Sequence, residues 1–519
     1  MSQDHQNNER RQEDRGACFL FGGQSLPAFS LVIFGGSGDL TARKLVPALY
    51  NLFRHHCLPG RFNIVGCGRS VMTHAEFRRS LAEFDREGRG ATAEADESWE
   101  HFAANLFYQA LSYDDPQAYQ GLAELLNQLD RERHTAPNRI FYLAVPPALY
   151  AVIATQLGPA GLAAQTATNW ARIVVEKPFG HDLPSATALD RTLHSGFREE
   201  QIFRIDHYLA KETVQNILML RFANAIFEPI WNRGFIDYVG IISAEKLGVE
   251  HRAGFYEQAG VLRDMFQNHM LQLLALTAME PPSRFEAAQV QDEKVKVFRA
   301  LKPLNQVNLG ENLVLGQYGP GTVDGREVPG YRREPGVATD SLTPTFAAMK
   351  VGIDNWRWRG VPFYLVSGKR MPAKETRIII QFKEVPHSMF RRELADSILA
   401  NRLILGIYPE EKISLNFQAK SPGTKEYLHP ATMSFNYERR QGSPGQPYDA
   451  YEMVLLDCII GDHMLFWRQD GVELSWSFLS PILQECESCP ETVRKLLQIY
   501  PAGTPGPEAA HSWMKLLGK

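Results

Sequence analysis

A short apolar run that ends abruptly in glycines is the feature that most constrains the fold of this chain. Ser30–Phe34 is apolar and partly β-branched, as buried strands are, and a helical pattern extends over 41–53. Between them lie Gly35, Gly36, Ser37, Gly38, Asp39 and Leu40. A strand, a glycine turn and a helix in this order place backbone N–H groups at a helix start, where they can bind a phosphate. The G-x-x-G spacing falls short of the full dinucleotide fingerprint, and the G-K-[ST] ending of a P-loop is absent.

Further apolar runs follow at intervals that suit a doubly wound α/β sheet. They are Phe62–Cys67, Arg139–Val145, Arg172–Val175 and Gln201–Arg204. Helical patterns over 74–105 and 183–194 separate some of them. The alternation predicts a Rossmann-like dinucleotide-binding domain over 30–205, in which ligands lie beyond the carboxyl ends of the strands. Lys177 is expected at such an end, where it could meet both a cofactor and a substrate.

Arg69 follows the second predicted strand directly. NAD enzymes generally place an acid near the end of this strand to bind the ribose hydroxyls, whereas an arginine suits a 2′-phosphate. The chain has Arg69 and no acid there, which favours NADP over NAD. The alternative interpretation is a surface arginine in a strand–helix loop.

The nine residues Arg204–Glu212 combine two acids, three bases and a tyrosine before an apolar run with a helical pattern. If the segment continues into that helix, His207 and Lys211 stand four apart and share a face, where they form a cradle for an anion such as a phosphate. Asp206 would then be free to orient a second histidine. The alternative is a charged, solvated first turn of a helix.

After 205 the pattern changes from alternating strands and helices to clustered strands. The strand-like runs are Tyr238–Ala244, Val295–Phe298, Arg377–Phe382, Arg402–Ile407, Lys412–Ala419 and Ala431–Phe435. They predict an α+β domain over 206–519 with a large, mainly antiparallel sheet. Glu257–Met279 is predicted to be one long helix carrying His269, and Gly316–Gly336 an exposed loop.

Length and charge exclude several classes of protein. At 519 residues the chain exceeds what one core usually supports, which favours two domains. A net charge of −4 gives no basic surface for nucleic acid or a membrane, and no apolar run approaches the roughly 18–20 residues of a membrane span. The polar start predicts a disordered tail over 1–29 and no secretory signal. Six scattered cysteines then indicate reduced thiols in a cytoplasm.

Cys486 and Cys489 form a lone C-x-x-C pair that needs separate consideration. Such a pair can be half of a zinc site or a redox pair. Because the sequence has no second pair nearby, ordinary thiols at a helix end are favoured, and no metal site is predicted.

Four motifs make the chain similar to a known family. They are Gly35–Lys44, Glu176–Gly180, Arg204–Glu212 and Arg263–His269, in the order that the glucose-6-phosphate dehydrogenases have them. The resemblance extends from about Leu31 to beyond Ala431. One departure is Ala210, where the family's motif usually has glycine. Members of this family oxidise glucose 6-phosphate at C1 to 6-phosphogluconolactone and pass a hydride to NADP, the first oxidative step of the pentose phosphate pathway.

The resemblance also implies roles for individual residues. His269 matches the general base, and Asp206 matches the carboxylate that fixes its tautomer. The substrate phosphate would be held by His207, Tyr208 and Lys211. The sugar would meet Lys177, Glu245, Asp264, Lys369 and Lys374, although Arg370 competes with Lys374 for its role. The cofactor would be bound by Gly35, Gly36, Ser37, Gly38, Asp39, Leu40, Arg69, Tyr142 and Lys177.

The resemblance implies a homodimer or a homotetramer that associates through the large sheet, and it leaves a second NADP site undetermined. Two other functions are alternatives. An NADP enzyme for a different hexose phosphate would alter Glu245 or the loop of Lys369, and both look intact. A non-catalytic NADP-binding protein would lack His269 or Asp206, and both are present.

Overall fold

The computed structural model describes residues 26–89, 93–206, 208–305, 307–387, 389, 398–420, 428–436, 449–488 and 490–518. The chain forms two compact units. The first contains Met1–Gly180, Pro184–Ala210 and Arg440–Gln469, and the second contains the remainder. The predicted division at 205 therefore misses one feature: a late segment, of which 449–469 are described, returns to the first unit. Residues 1–25 of the predicted tail lie outside the described residues.

The first unit is built on a seven-stranded sheet. Its parallel strands are β1 (Phe29–Phe34), β2 (Phe62–Gly68), β3 (Leu106–Ala110), β4 (Arg139–Leu143), β5 (Ala171–Val175) and β6 (Ile202–Ile205). The late strand β17 (Phe466–Trp467) adds to β6 in the antiparallel direction, and the order is β17-β6-β5-β4-β1-β2-β3. Every residue of β1, β2 and β4 is buried, as expected of parallel strands covered on both faces. The Rossmann-like prediction is confirmed.

Helices cover this sheet. They are α1 (Val46–Arg54), α2 (His74–Arg89), α3 (Ala93–Ala103), α4 (Pro116–Arg133), α5 (Tyr150–Leu157), α6 (Leu183–His194) and the late α12 (Ala450–Ile460). Local sequence explains their limits. The Asp115 side chain accepts the N–H of Gln117 to begin α4, and Asp449 and Glu452 form a capping box at α12. Asn51 of α1 donates to Glu452 at 2.7 Å, which ties the late segment to this unit.

The second unit has a nine-stranded mixed sheet and a small hairpin. The strands in chain order are β7 (Ile236–Ala244), β8 (Leu313–Gly319), the hairpin β9 (Gly321–Val323) and β10 (Arg326–Val328), β11 (Phe346–Gly352), β12 (Pro362–Gly368), β13 (Glu375–Phe382), β14 (Arg402–Tyr408), β15 (Lys412–Lys420), β16 (Leu428–Asn436) and β18 (Leu497–Pro501). The large sheet has the order β16-β15-β14-β13-β7-β12-β11-β8-β18. Among the described strand pairs of this sheet, only β7–β12 and β8–β18 are parallel. The predicted α+β architecture is confirmed.

The second unit also contains helices, some of which contact this sheet. They are α7 (Glu212–Phe222), α8 (Ala253–Val261), a π-helix (Leu262–Met270), α9 (Leu271–Ala278), α10 (Ala287–Arg299), α11 (Leu309–Asn312), α13 (Gln469–Ser488), α14 (Pro490–Leu496) and α15 (His511–Gly518). Among the described helices of the whole chain, none has both the length and the apolar character that a bilayer crossing requires.

Three predictions for this unit are wrong. Val295–Phe298 lies inside α10 and not in a strand, since a short apolar run cannot be told from one face of a helix by periodicity. Gly316–Gly336 is not one exposed loop, because it contains the end of β8 and both strands of the hairpin. The long helix over Glu257–Met279 is interrupted at Gly260, where φ is 56° and ψ is 178°, and it continues as the π-helix.

The interruption leads to a stability prediction. Gly260→Ala should lower the free energy of unfolding by about 1–3 kcal/mol, because a side chain at this φ and ψ strains the backbone. An added Cβ would meet its nearest neighbour only at 3.4 Å, so the cost comes from the backbone and not from a clash. Thermal unfolding followed by circular dichroism measures it.

Gly254→Ala is the matched control in the same helix, since an added Cβ there has no neighbour within 4 Å. Alanine should be neutral or stabilising there by up to about 1 kcal/mol. Equal midpoints for the two variants would contradict the strain at Gly260.

Candidate active site

The glycine turn lies at the centre of the first sheet, where β1 has β2 on one side and β4 on the other. The chain leaves β1 in one direction to form β2 and returns on the other side as β4, so this is the switch point where doubly wound sheets bind ligands. The N–H groups of Gly35 and Gly36 both donate to the carbonyl of Cys67 at 2.9 Å. The Thr41 hydroxyl donates to the Gly35 carbonyl at 2.8 Å.

Only glycine fits at the first two positions of this turn. Gly35 has a φ of 88°, and a Cβ there would lie 2.2 Å from the carbonyl oxygen of Ala144 after β4. A Cβ on Gly36 would lie 2.6 Å from the Cα of Gly66 in β2. The turn then enters a helical segment, Thr41–Leu45, that continues as α1. A helix start that follows a glycine turn directly suits the phosphates of a dinucleotide.

Arg69 is exposed directly after β2 and lies near Tyr113. Burial raises the pKa of Tyr113 and Cys67 adds to this shift, while a hydrogen bond from the Gly35 backbone and the charge of Arg69 oppose it. Arg69 and the glycine turn thus both lie close enough to Tyr113 to influence its ionisation.

Lys177 follows β5, next to a carboxylate that two tyrosines bind. Tyr142 donates to Glu176 Oε1 at 2.6 Å, and Tyr451 of α12 hydrogen-bonds the same carboxylate. Desolvation raises the pKa of Glu176, and these hydrogen bonds and the charge of Lys177 oppose that rise. Tyr142 is fully buried, so its visible role is to hold Glu176. Its predicted contact with a cofactor stays a prediction.

Asp206 follows β6 and is almost fully buried. Its Oδ1 accepts the N–H of Tyr208 at 3.0 Å, and its carbonyl accepts the N–H of Leu209 at 3.0 Å. The motif therefore begins as a turn, and α7 starts only at Glu212, after Lys211 in an extended conformation. The prediction that His207 and Lys211 share a helix face is wrong in its geometry, because Lys211 precedes the helix. His207 itself lies outside the described residues.

Lys211 instead stands at the N-terminus of α7, where its carbonyl accepts the N–H of Val214 at 2.9 Å. A lysine at the N-terminus of a helix adds its positive charge to the positive end of the helix dipole, and both favour an anion. Lys211 can therefore bind an anion from the start of the helix, although it does not share a helix face with His207 as predicted.

In the second unit, Glu245 and Lys369 meet at the carboxyl ends of two neighbouring parallel strands. Ala244 of β7 is in register with Gly368 of β12, and the next residue of each strand completes the pair. Lys369 Nζ forms an ion pair with Glu245 Oε2. The ammonium is largely buried, and it also lies 5.0 Å from the ring centroid of Tyr256 on α8, a residue that the sequence analysis missed.

Asp264 and His269 lie on the π-helix, and both are buried. Hydrogen bonds in a π-helix join residues five apart, so these two side chains project from nearly the same face. In an α-helix, residues five apart would be rotated by about 140°. Arg252 Nη2 lies 3.6 Å from Asp264 Oδ1. The π-helix therefore presents an acid and an imidazole together.

Comparison with known proteins decides the family. The family model for "Glucose-6-phosphate dehydrogenase, NAD binding domain" matches residues 32–216, and that for "Glucose-6-phosphate dehydrogenase, C-terminal domain" matches residues 218–519. The chain belongs to the glucose-6-phosphate dehydrogenase family. The resemblance inferred from the four motifs is confirmed.

Similar curated proteins cover almost the whole chain. Glucose-6-phosphate 1-dehydrogenase from Aggregatibacter actinomycetemcomitans is 45% identical over 489 residues, which are 94% of this chain and 95% of that protein. The protein of the same name from Bacillus subtilis is 42% identical over 484 residues, which are 93% of this chain and 96% of that protein.

Solved structures of the same family match nearly the whole chain. A "Glucose-6-phosphate dehydrogenase in complex with its substrate glucose-6-phosphate" matches with a TM-score of 0.87 and 34% identity, covering 96% of this chain and 99% of that chain. The glucose-6-phosphate 1-dehydrogenase from Mycobacterium avium matches with a TM-score of 0.78 and 34% identity, covering 94% and 97%.

Arg370 and Lys374, the two candidates for a sugar contact in the loop after Lys369 of this glucose-6-phosphate dehydrogenase family member, differ in their contacts. Arg370 Nη2 lies 3.1 Å from Glu334 and 3.5 Å from Glu250, so its guanidinium binds within the protein. Lys374 is exposed, and its Nζ lies 4.4 Å from the ring centroid of Tyr408. These contacts favour Lys374 over Arg370 as the residue that meets a ligand.

One cluster has the composition of a metal site, namely Asp190, His194 and Glu199. Arg204 donates to Asp190 at 2.5 Å and to Glu199 at 2.8 Å, so a guanidinium already neutralises both carboxylates. The cluster is an ion-pair network. Cys486 has a free, partly buried thiol whose pKa is raised by burial to about 11, whereas Cys489 lies outside the described residues.

The Tyr142–Glu176 contact predicts a pH-dependent stability. Tyr142→Phe should lower the free energy of unfolding by about 1–2 kcal/mol at pH 8, because it removes a hydrogen bond to a carboxylate. That bond favours the ionised form, so the loss should shrink as the pH falls through the raised pKa of Glu176. Melting temperatures at pH 8 and pH 5 measure the difference.

Tyr150→Phe serves as the control, since it removes another buried phenol and leaves both hydroxyl groups on Glu176 in place. Its effect should be the same at both pH values. A loss for Tyr142→Phe that grows toward pH 5 would contradict the assignment.

Proposed function

We propose that this protein oxidises D-glucose 6-phosphate at C1 to 6-phospho-D-glucono-1,5-lactone with NADP as hydride acceptor. One observation carries the proposal: the models for the two domains of a single enzyme family together match nearly the whole chain. The reaction is the first oxidative step of the pentose phosphate pathway and supplies NADPH. A bound nicotinamide cofactor provides the hydride acceptor, and the protein provides binding, orientation and proton transfer.

His269 is the general base of this proposal. The C1 hydroxyl must lose its proton as the hydride leaves, and an imidazole with an ordinary pKa near 6.5 can accept it at neutral pH. His269 is a buried imidazole on the same π-helix as the buried Asp264, and two buried polar side chains on one π-helix support a functional role for this segment. Asp206 is assigned, from its motif, to fix the tautomer of the imidazole and to stabilise the imidazolium, as in other His–Asp pairs.

The substrate phosphate carries about −1.5 to −2 charges at pH 7 and needs concentrated positive charge. His207, Tyr208 and Lys211 are proposed to bind it, and the position of Lys211 at the start of α7 supports this. The sugar hydroxyls need both donors and acceptors. Glu245 and Lys369 offer one of each in an existing ion pair, together with Lys177, Asp264 and Lys374.

NADP is proposed to bind at the glycine turn of the first unit. Its phosphates would meet the segment from Gly35 to Leu40, and Arg69 would take the 2′-phosphate. Lys177 and Tyr142 are proposed on the nicotinamide side. Around Gly35 the backbone segments approach too closely for a side chain to fit between them. A turn that is lined by backbone atoms and not by side chains supports this site.

We also propose a cytoplasmic homodimer or homotetramer that associates through the nine-stranded sheet. One of the two edge strands of this sheet as described, β16, exposes Met433 and Phe435, which are more than half accessible. Apolar side chains on an exposed outer strand are a feature of association surfaces.

The base assignment is tested by His269→Asn, which should lower kcat by about a hundredfold or more while KM for glucose 6-phosphate changes little. The assay follows absorbance at 340 nm with NADP and then with NAD. His511→Asn, which changes a histidine of α15, should keep wild-type turnover.

If His269→Asn turns over like wild type, the proton is accepted by another group. If the wild type fails to turn over glucose 6-phosphate with either cofactor, the non-catalytic NADP-binding function is favoured instead.

Cofactor choice is tested by Arg69→Ala. Loss of a charge-assisted contact to the 2′-phosphate should raise KM for NADP by roughly 10–100-fold, and KM for NAD should change less than about threefold. Arg54→Ala, at the last turn of α1, should change neither value. Equal losses for NADP and NAD would contradict the assignment.

A further inference from the structure

Tyr256 is a buried residue of α8 that neither the sequence motifs nor the proposed mechanism uses. It is only 1% exposed, and within the described chain its hydroxyl oxygen has no hydrogen-bond partner. Burying an unpaired hydroxyl costs about 1–3 kcal/mol, so such a group requires an explanation.

The other tyrosines of the same core show what is unusual about Tyr256. Tyr238, Tyr318, Tyr331 and Tyr500 are buried in one hydrophobic cluster with it. Each of their hydroxyl groups binds an acceptor: the carbonyl of Leu516, the Glu334 carboxylate, the Glu257 carboxylate and the carbonyl of Lys369, respectively. A phenylalanine at 256 would fill the same space without an unpaired donor. Packing therefore explains the ring and leaves the hydroxyl unexplained.

The surroundings of Tyr256 are the residues assigned to the sugar. Lys369 Nζ lies 5.0 Å from the ring centroid, within the range of a cation–π contact, and it pairs with Glu245. Burial raises the pKa of Tyr256, and the nearby carboxylates of Asp264 and Glu245 raise it further. The phenol therefore stays protonated at neutral pH and can act as a hydrogen-bond donor near these carboxylates. Glu245 is about one-third exposed, so the cluster opens to solvent at its carboxylate.

We propose that Tyr256 is a specificity-determining residue of the hexose site, whose ring supports the Lys369 ammonium and whose hydroxyl donates to a hydroxyl group of the bound sugar phosphate. The proposal rests on the assignment of Glu245, Asp264 and Lys369 to the sugar in the proposed function. It adds a donor to a cluster that otherwise offers two carboxylates and one ammonium. A site that binds a substrate hydroxyl through a buried donor discriminates strongly against analogues that lack this hydroxyl.

Tyr256→Phe tests the hydroxyl because it keeps the ring. KM for glucose 6-phosphate should rise roughly 3–15-fold, while kcat and KM for NADP change less than about twofold. The melting temperature without substrate should equal or exceed that of the wild type, since the variant loses a hydroxyl with no partner in the described chain. A merely structural role would lower the melting temperature and leave KM unchanged.

Deoxy analogues identify the partner of the hydroxyl. Wild type and Tyr256→Phe are compared by kcat/KM on the 2-deoxy, 3-deoxy and 4-deoxy forms of glucose 6-phosphate. For one of the three, the two enzymes should become equal, because that analogue lacks the group that Tyr256 binds. For the other two, the difference seen with glucose 6-phosphate should persist.

Two further variants separate the ring from general packing. Tyr256→Leu should raise KM more than Tyr256→Phe does, because it also removes the aromatic face under Lys369. Tyr331→Phe is the matched control: its ring packs on Tyr256 with centroids 6.2 Å apart, and its hydroxyl binds Glu257. It should lower the melting temperature and leave KM for glucose 6-phosphate unchanged.

A wild-type KM for Tyr256→Phe, or an equal difference with all three deoxy analogues, would overturn the proposal while leaving the proposed function intact. An equal KM increase in Tyr331→Phe would also overturn it, as a general packing effect. Absence of turnover in the wild type would instead refute the proposed function, and the role of Tyr256 with it.

Discussion

The backbones of three strands approach so closely at the glycine turn that side chains are excluded, and the ligand-binding edge of the first unit depends on this contact. The N–H groups of Gly35 and Gly36 share the Cys67 carbonyl, and the Thr41 hydroxyl binds the Gly35 carbonyl. These bonds fix the direction in which α1 leaves β1. Since parallel strands end at one edge, the same contact aligns the turn with Arg69 and Tyr113.

In the second unit, strand pairing and not a glycine turn positions the candidate site residues. Its large sheet is mainly antiparallel, but β7 and β12 run parallel, so the residues that follow them emerge side by side. The parallel pairing of β7 with β12 brings Glu245 and Lys369 into contact. The π-helix makes a second local adjustment, because its wider turn brings Asp264 and His269 toward one face. Single π turns inside helices often accompany functional sites, and here the turn carries the proposed base.

The strands of the first unit were predictable from the sequence because parallel strands buried on both faces appear as continuous apolar runs. The edge strand β3 was missed, as only Leu106 and Tyr108 of its residues are buried. In the second unit, β11 has few β-branched residues, and non-local pairing decides its conformation. The start of α7 was misplaced because the Asp206 side chain binds the Tyr208 N–H and forms a turn where a helix was expected. Nothing local indicates that α12 returns to the first sheet.

The sequence alone determined the motif residues, the glycine turn and the apolar runs of the main strands. Each of these is a property of residues that are neighbours in the chain. The Glu245–Lys369 ion pair joins residues 124 positions apart, and the contact of Lys369 with Tyr256 likewise depends on packing of distant segments. The hydroxyl of Tyr256, which has no hydrogen-bond partner among the described residues, has no sequence signal, since a buried tyrosine and a buried phenylalanine occupy the same periodic position. The tertiary structure decided these contacts, because each depends on side chains that come from separate strands and helices and meet only when the chain folds.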